Sequence, residues 1–287
     1  MATILDGRKV SNLMLDEVEA ELKDLKAEGI LPKLVVIVVG EDPASAVYVR
    51  HKEKACARTG MEFEKITYEP EITQDELIAK IDELNADASV SGMIVQLPLP
   101  GHIEEPKVIR AINPYKDVDG FHAYNVGKML LSQDFEDMAP CTPKGMIRIL
   151  DEYKVDVSGM DAVIVGKSNI VGKPIAAMLL NRGATVTVCH RRTKDLKANT
   201  LRADLLVVAV GKTNLITADM VKDGVIVLDV GINRLENGKL AGDVDFDAVS
   251  EKASMITPVP GGVGPMTVAC LLSNTITAAK KQRDMAA

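Results

Sequence analysis

Tyr48 and Lys52 stand four residues apart in the stretch DPASAVYVRHK, which reads as the opening of a helix, so the two side chains share one face. A lysine so placed can move protons near neutral pH if burial or a neighbouring cation lowers its pKa. An ordinary helix face is the plain alternative at this spacing. Gln96 closes a continuous apolar run, Gly92 to Leu97, just before Pro98. Asp117 and Asp119 lie in KDVDGFHAYNVG, together with His122 and Asn125. Two carboxylates one residue apart could suggest a metal, but no third ligand follows at a metal-like spacing, and His51, His102, His122 and His190 show none either. No metal site is expected.

A second candidate is VIVGKSNIVGKP, Val163 to Pro174. Apolar residues run into Gly166, small and polar residues follow, and Gly172-Lys173-Pro174 opens a helical pattern. A strand, a glycine turn and a helix start present free backbone N–H groups to an anion, commonly a phosphate. The loop matches neither G-x-G-x-x-G, since Ser168 stands where a glycine is needed, nor the Walker pattern, since Pro174 follows the lysine. A glycine turn without a ligand is the alternative. The next strand, Ala184 to Val188, ends in Cys189-His190-Arg191-Arg192-Thr193, with no carboxylate before Asp195. Two arginines there suit a 2′-phosphate, so NADP is expected over NAD. The alternative for Arg191 and Arg192 is a solvated loop end.

The elements that must position these groups alternate. Met14, Val18, Leu22 and Leu25 mark a helix over Val10 to Lys26. Leu34 to Val39 is an unbroken apolar run of strand length, as in a parallel sheet buried on both faces. Asp42 caps a helix to Thr59, with Pro43 at its first position, and Gly60 stops it. Phe63 to Tyr68 alternates like a strand, Thr73 and Glu76 make a capping box for a helix to Leu84, and Pro106 to Ile112 is a short helix. Asn113 to Thr142 is long and poor in regular pattern, the length of a functional or linking loop. Beyond it come a helix (Pro143 to Tyr153), buried strands at Ala203 to Val210 and Gly224 to Val230, and a short helix after Gly242-Asp243-Val244. The proline- and glycine-rich loop Pro258 to Thr267 follows, then a helix to about Lys281. The expected architecture is α/β: two α/β domains flanking a cleft, residues 1–120 and 121–265, the second Rossmann-like. The C-terminal helix, about 266–287, is expected to return to the first domain.

The chain has 287 residues, 47% of them hydrophobic, which suffices for two ordinary cores. With no Trp, five Tyr, four Phe and a net charge of −7, it lacks the stacking surface and the basic balance of a nucleic-acid binder. Cys56, Cys141, Cys189 and Cys270 lie far apart without metal spacing and read as free thiols in a reducing compartment. No apolar run reaches membrane-spanning length and the N-terminus has no signal core, so a soluble, cytoplasmic protein is expected.

Taken together, GEDPASAVYVRHK, GMIVQLPLP, KDVDGFHAYNVG, PCTPKG, VGKSNIVGKP and PVPGGVGPMT, in this order, resemble the bifunctional methylenetetrahydrofolate dehydrogenase/cyclohydrolase family (FolD type) across essentially the whole chain. The departures are conservative, such as Lys167 where the family often has arginine. The resemblance implies that NADP accepts a hydride from 5,10-methylenetetrahydrofolate, and that water then opens the 5,10-methenyl product to 10-formyltetrahydrofolate. It makes Lys52 the acid–base group, Tyr48 the ring stacked by the folate, Gln96 the partner of the lysine and Asp119 the grip on the pterin. Val95, Leu97 and the loop residues Pro258, Gly261, Gly262 and Pro265 would border the substrate. Gly166, Lys167, Ser168, Arg191 and Ile232 would hold NADP, and a homodimer through the NADP domain is implied. Two other readings make different predictions. A monofunctional dehydrogenase of the same fold, whether using NADP or NAD, would leave methenyl product to hydrolyse spontaneously. A non-catalytic dinucleotide sensor would bind NADP and turn over no folate.

Overall fold

The computed structural model describes residues 2–286. In chain order its strands and helices are β1 (Thr3–Ile4), α1 (Gly7–Ala27), β2 (Lys33–Val39), α2 (Pro43–Thr59), β3 (Glu62–Tyr68), α3 (Gln74–Ala86), β4 (Gly92–Val95) and α4 (Glu105–Ala111). Then come α5 (Ala123–Leu131), α6 (Cys141–Glu152), β5 (Asp161–Val165), α7 (Gly172–Asn181), β6 (Thr185–Cys189), α8 (Leu196–Thr200) and β7 (Leu205–Val208). The last are β8 (Ile226–Asp229), β9 (Asn233–Arg234), β10 (Leu240–Ala241), α9 (Phe246–Ser250), β11 (Met255–Ile256) and α10 (Val263–Ala286). They form two compact units: one of residues 12–128, 137–141 and 268–286, the other of residues 2–11, 129–136 and 142–267.

The first unit is built on a three-stranded parallel sheet in the order β3-β2-β4. Leu34 of β2 aligns with both Phe63 and Gly92, so β2 is flanked on each side and its apolar run from Leu34 to Ile37 is buried. Val35, Ile37 and Val39 pack with Leu77, Ile81 and Leu84 of α3 and with Val108 of α4. The capping box of α3 is formed, Thr73 Oγ1 accepting from Glu76 N at 3.2 Å while Thr73 N donates to Glu76 Oε2 at 2.9 Å. Beside β4 the chain returns as a further lane: Met93 bridges Asp117 in parallel, and Met93 N donates to Lys116 O at 2.8 Å. Gly92 permits this approach, because a Cβ there would lie 2.3 Å from Val118 Cγ1. Asp117 to Asp119 are thereby carried alongside the strand that ends before Gln96.

The second unit holds a six-stranded, all-parallel sheet in the order β1-β11-β8-β7-β5-β6. From β5 the chain steps outward to β6, then crosses to the other side of β5 as β7. The reversal between β5 and β7 is where doubly wound sheets open to ligands at their carboxyl ends. Val163, Leu206 and Val227 of the central strands pack with Ile216, Val221 and Val249.

Three elements depart from the sequence expectation. Asn113 to Thr142 contains a helix, α5, and a 3₁₀ turn, Gln133–Phe135, so the stretch is not one long irregular loop. Gly127 in mid-helix and the short length hide its pattern, although Asn125 and Met129 are buried one turn apart. The N-terminus supplies β1, paired Thr3↔Met255 and Ile4↔Ile256, so residues 2–11 belong with the Rossmann-like sheet. Finally, α10 begins at Val263, inside the proline-glycine loop. Pro265 sits in its first turn, where the missing N–H is of no consequence.

Candidate active site

Helix α2 sets the first group of side chains. Asp42 Oδ2 accepts from Ser45 N at 2.7 Å and fixes the start of the helix. One turn separates Tyr48 from Lys52, as the spacing predicts. Lys52 is 6% exposed, and its Nζ donates to Gln96 Oε1 at 2.7 Å. Gln96 stands just past the end of β4, its own N–H bound to Ile37 O at 2.8 Å, and its Nε2 donates to Leu97 O at 2.8 Å. That second bond orients the amide so that its oxygen faces the lysine. Val95 is buried in the strand, Leu97 is half-buried, and the Leu97–Pro98 peptide is cis.

Burial lowers the pKa of Lys52, opposed by the fields of Asp119 and Cys141. Asp119 keeps some exposed surface yet is densely surrounded. Burial pushes its carboxyl up to about 6, against the lowering effect of Lys52 and with a raising contribution from Asp117. Asp119 makes no hydrogen bond among the described residues, so its acceptors are available to a ligand. Its neighbour Asp117 is fully engaged, accepting from His122 N at 2.8 Å, Asn125 Nδ2 at 2.9 Å and Phe121 N at 3.3 Å. Asp117, His122 and Asn125 thus fold the loop, and no cluster among the described residues could hold a metal ion. Tyr48 is half-buried, its hydroxyl pKa raised by burial.

The nucleotide-side residues lie in the second unit. Gly166 follows β5 at φ +131°, and a Cβ there would be 2.3 Å from Ala209 O, so the ends of β5 and β7 meet only around a glycine. A Cβ on Gly172 would come equally close, 2.1 Å from Gly166 O. Ser168 differs from a bare phosphate contact: its Oγ accepts from Val171 N at 3.1 Å and Gly172 N at 3.3 Å. The first amides of α7 are therefore satisfied internally. The amides left without a partner among the described residues come earlier, at Lys167, Ser168, Asn169 and Ile170. Arg191 follows β6 in a turn closed by His190 N to Thr193 Oγ1 at 2.9 Å. Neither Lys167, Arg191 nor Arg192 makes an ion pair among the described residues. Ile232, after β8, is 44% exposed. Spare amides beside uncommitted cations at a sheet's switch point fit a dinucleotide carrying an extra phosphate. Pro258 to Pro265 also belongs to this unit, seated by Arg8 N on Gly261 O at 3.1 Å, Gly262 N on Pro258 O at 2.8 Å and Ser11 Oγ on Pro265 O at 3.1 Å.

Sequence reasoning passed over two buried acids in this unit. Asp229 ends β8 and Asp243 precedes α9; both are buried, and each gathers several backbone N–H groups. The available signals were slight: Asp229 closes an apolar strand just before Val230-Gly231, and Asp243 stands between Gly242 and Val244.

Models of the tetrahydrofolate dehydrogenase/cyclohydrolase family match twice: its catalytic domain over residues 5–119 and its NAD(P)-binding domain over residues 140–283. The chain belongs to this family. The bifunctional protein FolD of Nautilia profundicola is 54% identical over 278 residues, 97% of each chain. The crystal structure of the bifunctional FolD enzyme from Campylobacter jejuni superposes with a TM-score of 0.95 at 52% identity, covering 98% of this chain and 99% of that one. The Trypanosoma brucei FolD, solved with NADP cofactor and an inhibitor, gives 0.94 at 35% identity over 100% and 99%. The activities are those of the family, methylenetetrahydrofolate dehydrogenase and methenyltetrahydrofolate cyclohydrolase, with NADP as cofactor. Among the described residues no helix is long and apolar enough to cross a membrane.

Proposed function

We propose that Lys52 is the acid–base group of the cyclohydrolase step and Gln96 its holder, with Asp119 binding the pterin and Tyr48 lying against it. The enzyme oxidises 5,10-methylenetetrahydrofolate to the 5,10-methenyl cation and hydrolyses it to 10-formyltetrahydrofolate. Bound NADP supplies the hydride acceptor. Hydride transfer needs no acid or base, only held and aligned carbons. Val95, Leu97 and the Pro258, Gly261, Gly262 and Pro265 loop would shape the folate's surroundings, and Gly166, Lys167, Ser168, Arg191 and Ile232 would hold the dinucleotide.

Hydrolysis does need a base. Neutral Lys52 takes a proton from water as the oxygen bonds to the methenyl carbon. The carbon–N5 bond then breaks, its electron pair stays on N5, and the lysine returns the proton there while the hydroxyl proton passes to solvent water as the formyl C=O forms. The observation that carries this reading is the buried lysine, its pKa lowered by that burial and its Nζ fixed 2.7 Å from Gln96 Oε1. Lys52→Met should lower cyclohydrolase turnover of supplied 5,10-methenyltetrahydrofolate by about 10²–10⁴-fold, with NADP affinity unchanged. Intact cyclohydrolase activity in that variant would end the assignment.

The four cysteines are buried and none is joined in a disulfide, which suits a reducing cytoplasm. The acidic net charge of −7 offers no general attraction to nucleic acid. A homodimer through the nucleotide unit is supported by its open edge strand β6, where Val188 is exposed. Light scattering on the purified chain would separate dimer from monomer.

A further inference from the structure

Asp243 has no place in the chemistry above, yet it is fully buried and accepts four hydrogen bonds. Oδ2 accepts from Val210 N at 2.7 Å and Gly211 N at 2.9 Å. Oδ1 accepts from Lys212 N at 2.7 Å and Asn233 Nδ2 at 2.9 Å. Three consecutive main-chain N–H groups converge on one carboxylate, an arrangement that otherwise binds a free anion. The backbone of Asp243 is fixed in turn: its N–H donates to Asp229 Oδ1 at 3.0 Å, and the same oxygen accepts from Gly231 N at 3.0 Å. Gly231 is needed for the approach, since a Cβ there would lie 2.3 Å from Asp243 Cγ.

The two segments so tied are those that leave β7 and β8 at the carboxyl edge of the sheet. Val210 to Lys212 continues directly from Ala209, whose carbonyl faces Gly166 across the switch point. Asn233 adjoins Ile232. We propose that Asp243 is a positioning residue for NADP: it clamps the loop after β7 to the loop after β8 and so fixes the rim against which the dinucleotide lies. The proposal rests on the cofactor contacts suggested above for Gly166, Arg191 and Ile232. It needs no contact between Asp243 and the cofactor. A carboxylate suits the task because it only accepts, and four donors meet it. An amide of the same shape would turn an NH₂ group toward two N–H donors on one side.

The test uses Asp243→Asn in the full chain, with two independent readouts. NADP affinity is measured by titration calorimetry, and cyclohydrolase rate is measured on supplied 5,10-methenyltetrahydrofolate without NADP. NADP should bind about tenfold more weakly or worse, as expected when charge-assisted bonds holding a binding loop are lost, while the hydrolysis rate stays within about twofold. Unchanged NADP affinity overturns the proposal. So does an equal fall of both readouts, which would mark a merely structural residue. If Asp243→Asn does not fold, Asn233→Ala carries the test, because it removes one donor and leaves the three-amide nest. It should weaken NADP a few-fold with hydrolysis unchanged, and unchanged NADP affinity there counts against the clamp. Arg191→Ala, run alongside, separates the two ideas. If it leaves NADP affinity intact, the suggested cofactor contacts fail first. If it weakens NADP while Asp243→Asn does not, the clamp alone fails.

Discussion

Asp229 in the second unit is buried and Asp119 in the first is densely surrounded though partly exposed, and desolvation pushes both carboxyls up to about 6. Their surroundings are otherwise opposite. Asp229 spends its oxygens on the protein, accepting from Gly231 N, Asp243 N and Val244 N, and the nearby Asp243 raises its pKa further. Asp119 accepts nothing from the described residues and feels chiefly the field of Lys52. A displaced pKa therefore does not by itself mark a reacting group. The distinguishing feature is whether the acceptors are already filled: a filled carboxylate builds the fold, and an open one beside a perturbed lysine waits for a ligand.

The sharpest way to break that comparison is to remove each acid. Asp229→Ala strands three buried N–H donors, at about 1 kcal/mol or more each. The total, about 3 kcal/mol, corresponds to roughly 6–12 °C in melting temperature for a unit of this size. Asp119→Ala strands none and relieves a partly desolvated charge, so its melting temperature should match or exceed that of the parent. Equal losses would show that Asp119 is structural too.

The second test concerns pH and activity. Asp119→Asn should raise KM for 5,10-methylenetetrahydrofolate by about 10–100-fold, the worth of hydrogen bonds to a charged group, and leave NADP binding alone. In the parent, KM should climb as pH falls through about 6, where the Asp119 carboxyl takes up its proton. The variant should be flat over that range. A parent-like profile in the variant would assign the titration to another group. Stability moves the opposite way. Both acids hold protons more tightly folded than unfolded, where 3.8 is their ordinary value, so each contributes stability that is fully present below about 4. That contribution is lost as pH rises through about 6, at up to about 1.4 kcal/mol per pH unit per group. Asp119→Asn should remove its share of the slope without lowering stability at neutral pH. Asp229→Asn should remove its share and lower stability as well, because the amide meets N–H donors.

How far such differences were legible in the sequence follows from what carries them. Tyr48, Lys52 and Gln96 could be read because their placement is local: one helical turn, and the end of an apolar strand. The glycine loop and the arginines after β6 could be read for the same reason. Asp119's nearness to Lys52 could not, because it depends on Val118 running beside Gly92 in a lane that no periodicity announces. Asp243 was invisible because its partners are main-chain N–H groups of residues 210–212, which have no side-chain signature. Ser168 was legible as a loop residue but not as a cap, since its hydroxyl serves amides three and four positions on. Helix α5 was lost to its length and to Gly127.

The mildest prediction probes what holds Asp119 in place. Asn274 of α10 is buried, and its Nδ2 donates to Val118 O at 2.9 Å and to Ala139 O at 3.1 Å. The same Val118 carbonyl also accepts from Cys141 Sγ at 3.3 Å. Asn274→Ala should therefore cost only about 1–2 kcal/mol and raise KM for the folate about two- to fivefold, since the thiol still pins the carbonyl next to Asp119. Adding Cys141→Ala should bring KM further toward the Asp119→Asn value, because both anchors are then gone. A single Asn274→Ala variant already as impaired as Asp119→Asn would mean that the helix, rather than the lane beside β4, sets the carboxylate. A double variant with parental KM would mean that the Met93–Asp117 bridge suffices alone, and that the open carboxylate in the first unit is as firmly built as the filled one in the second.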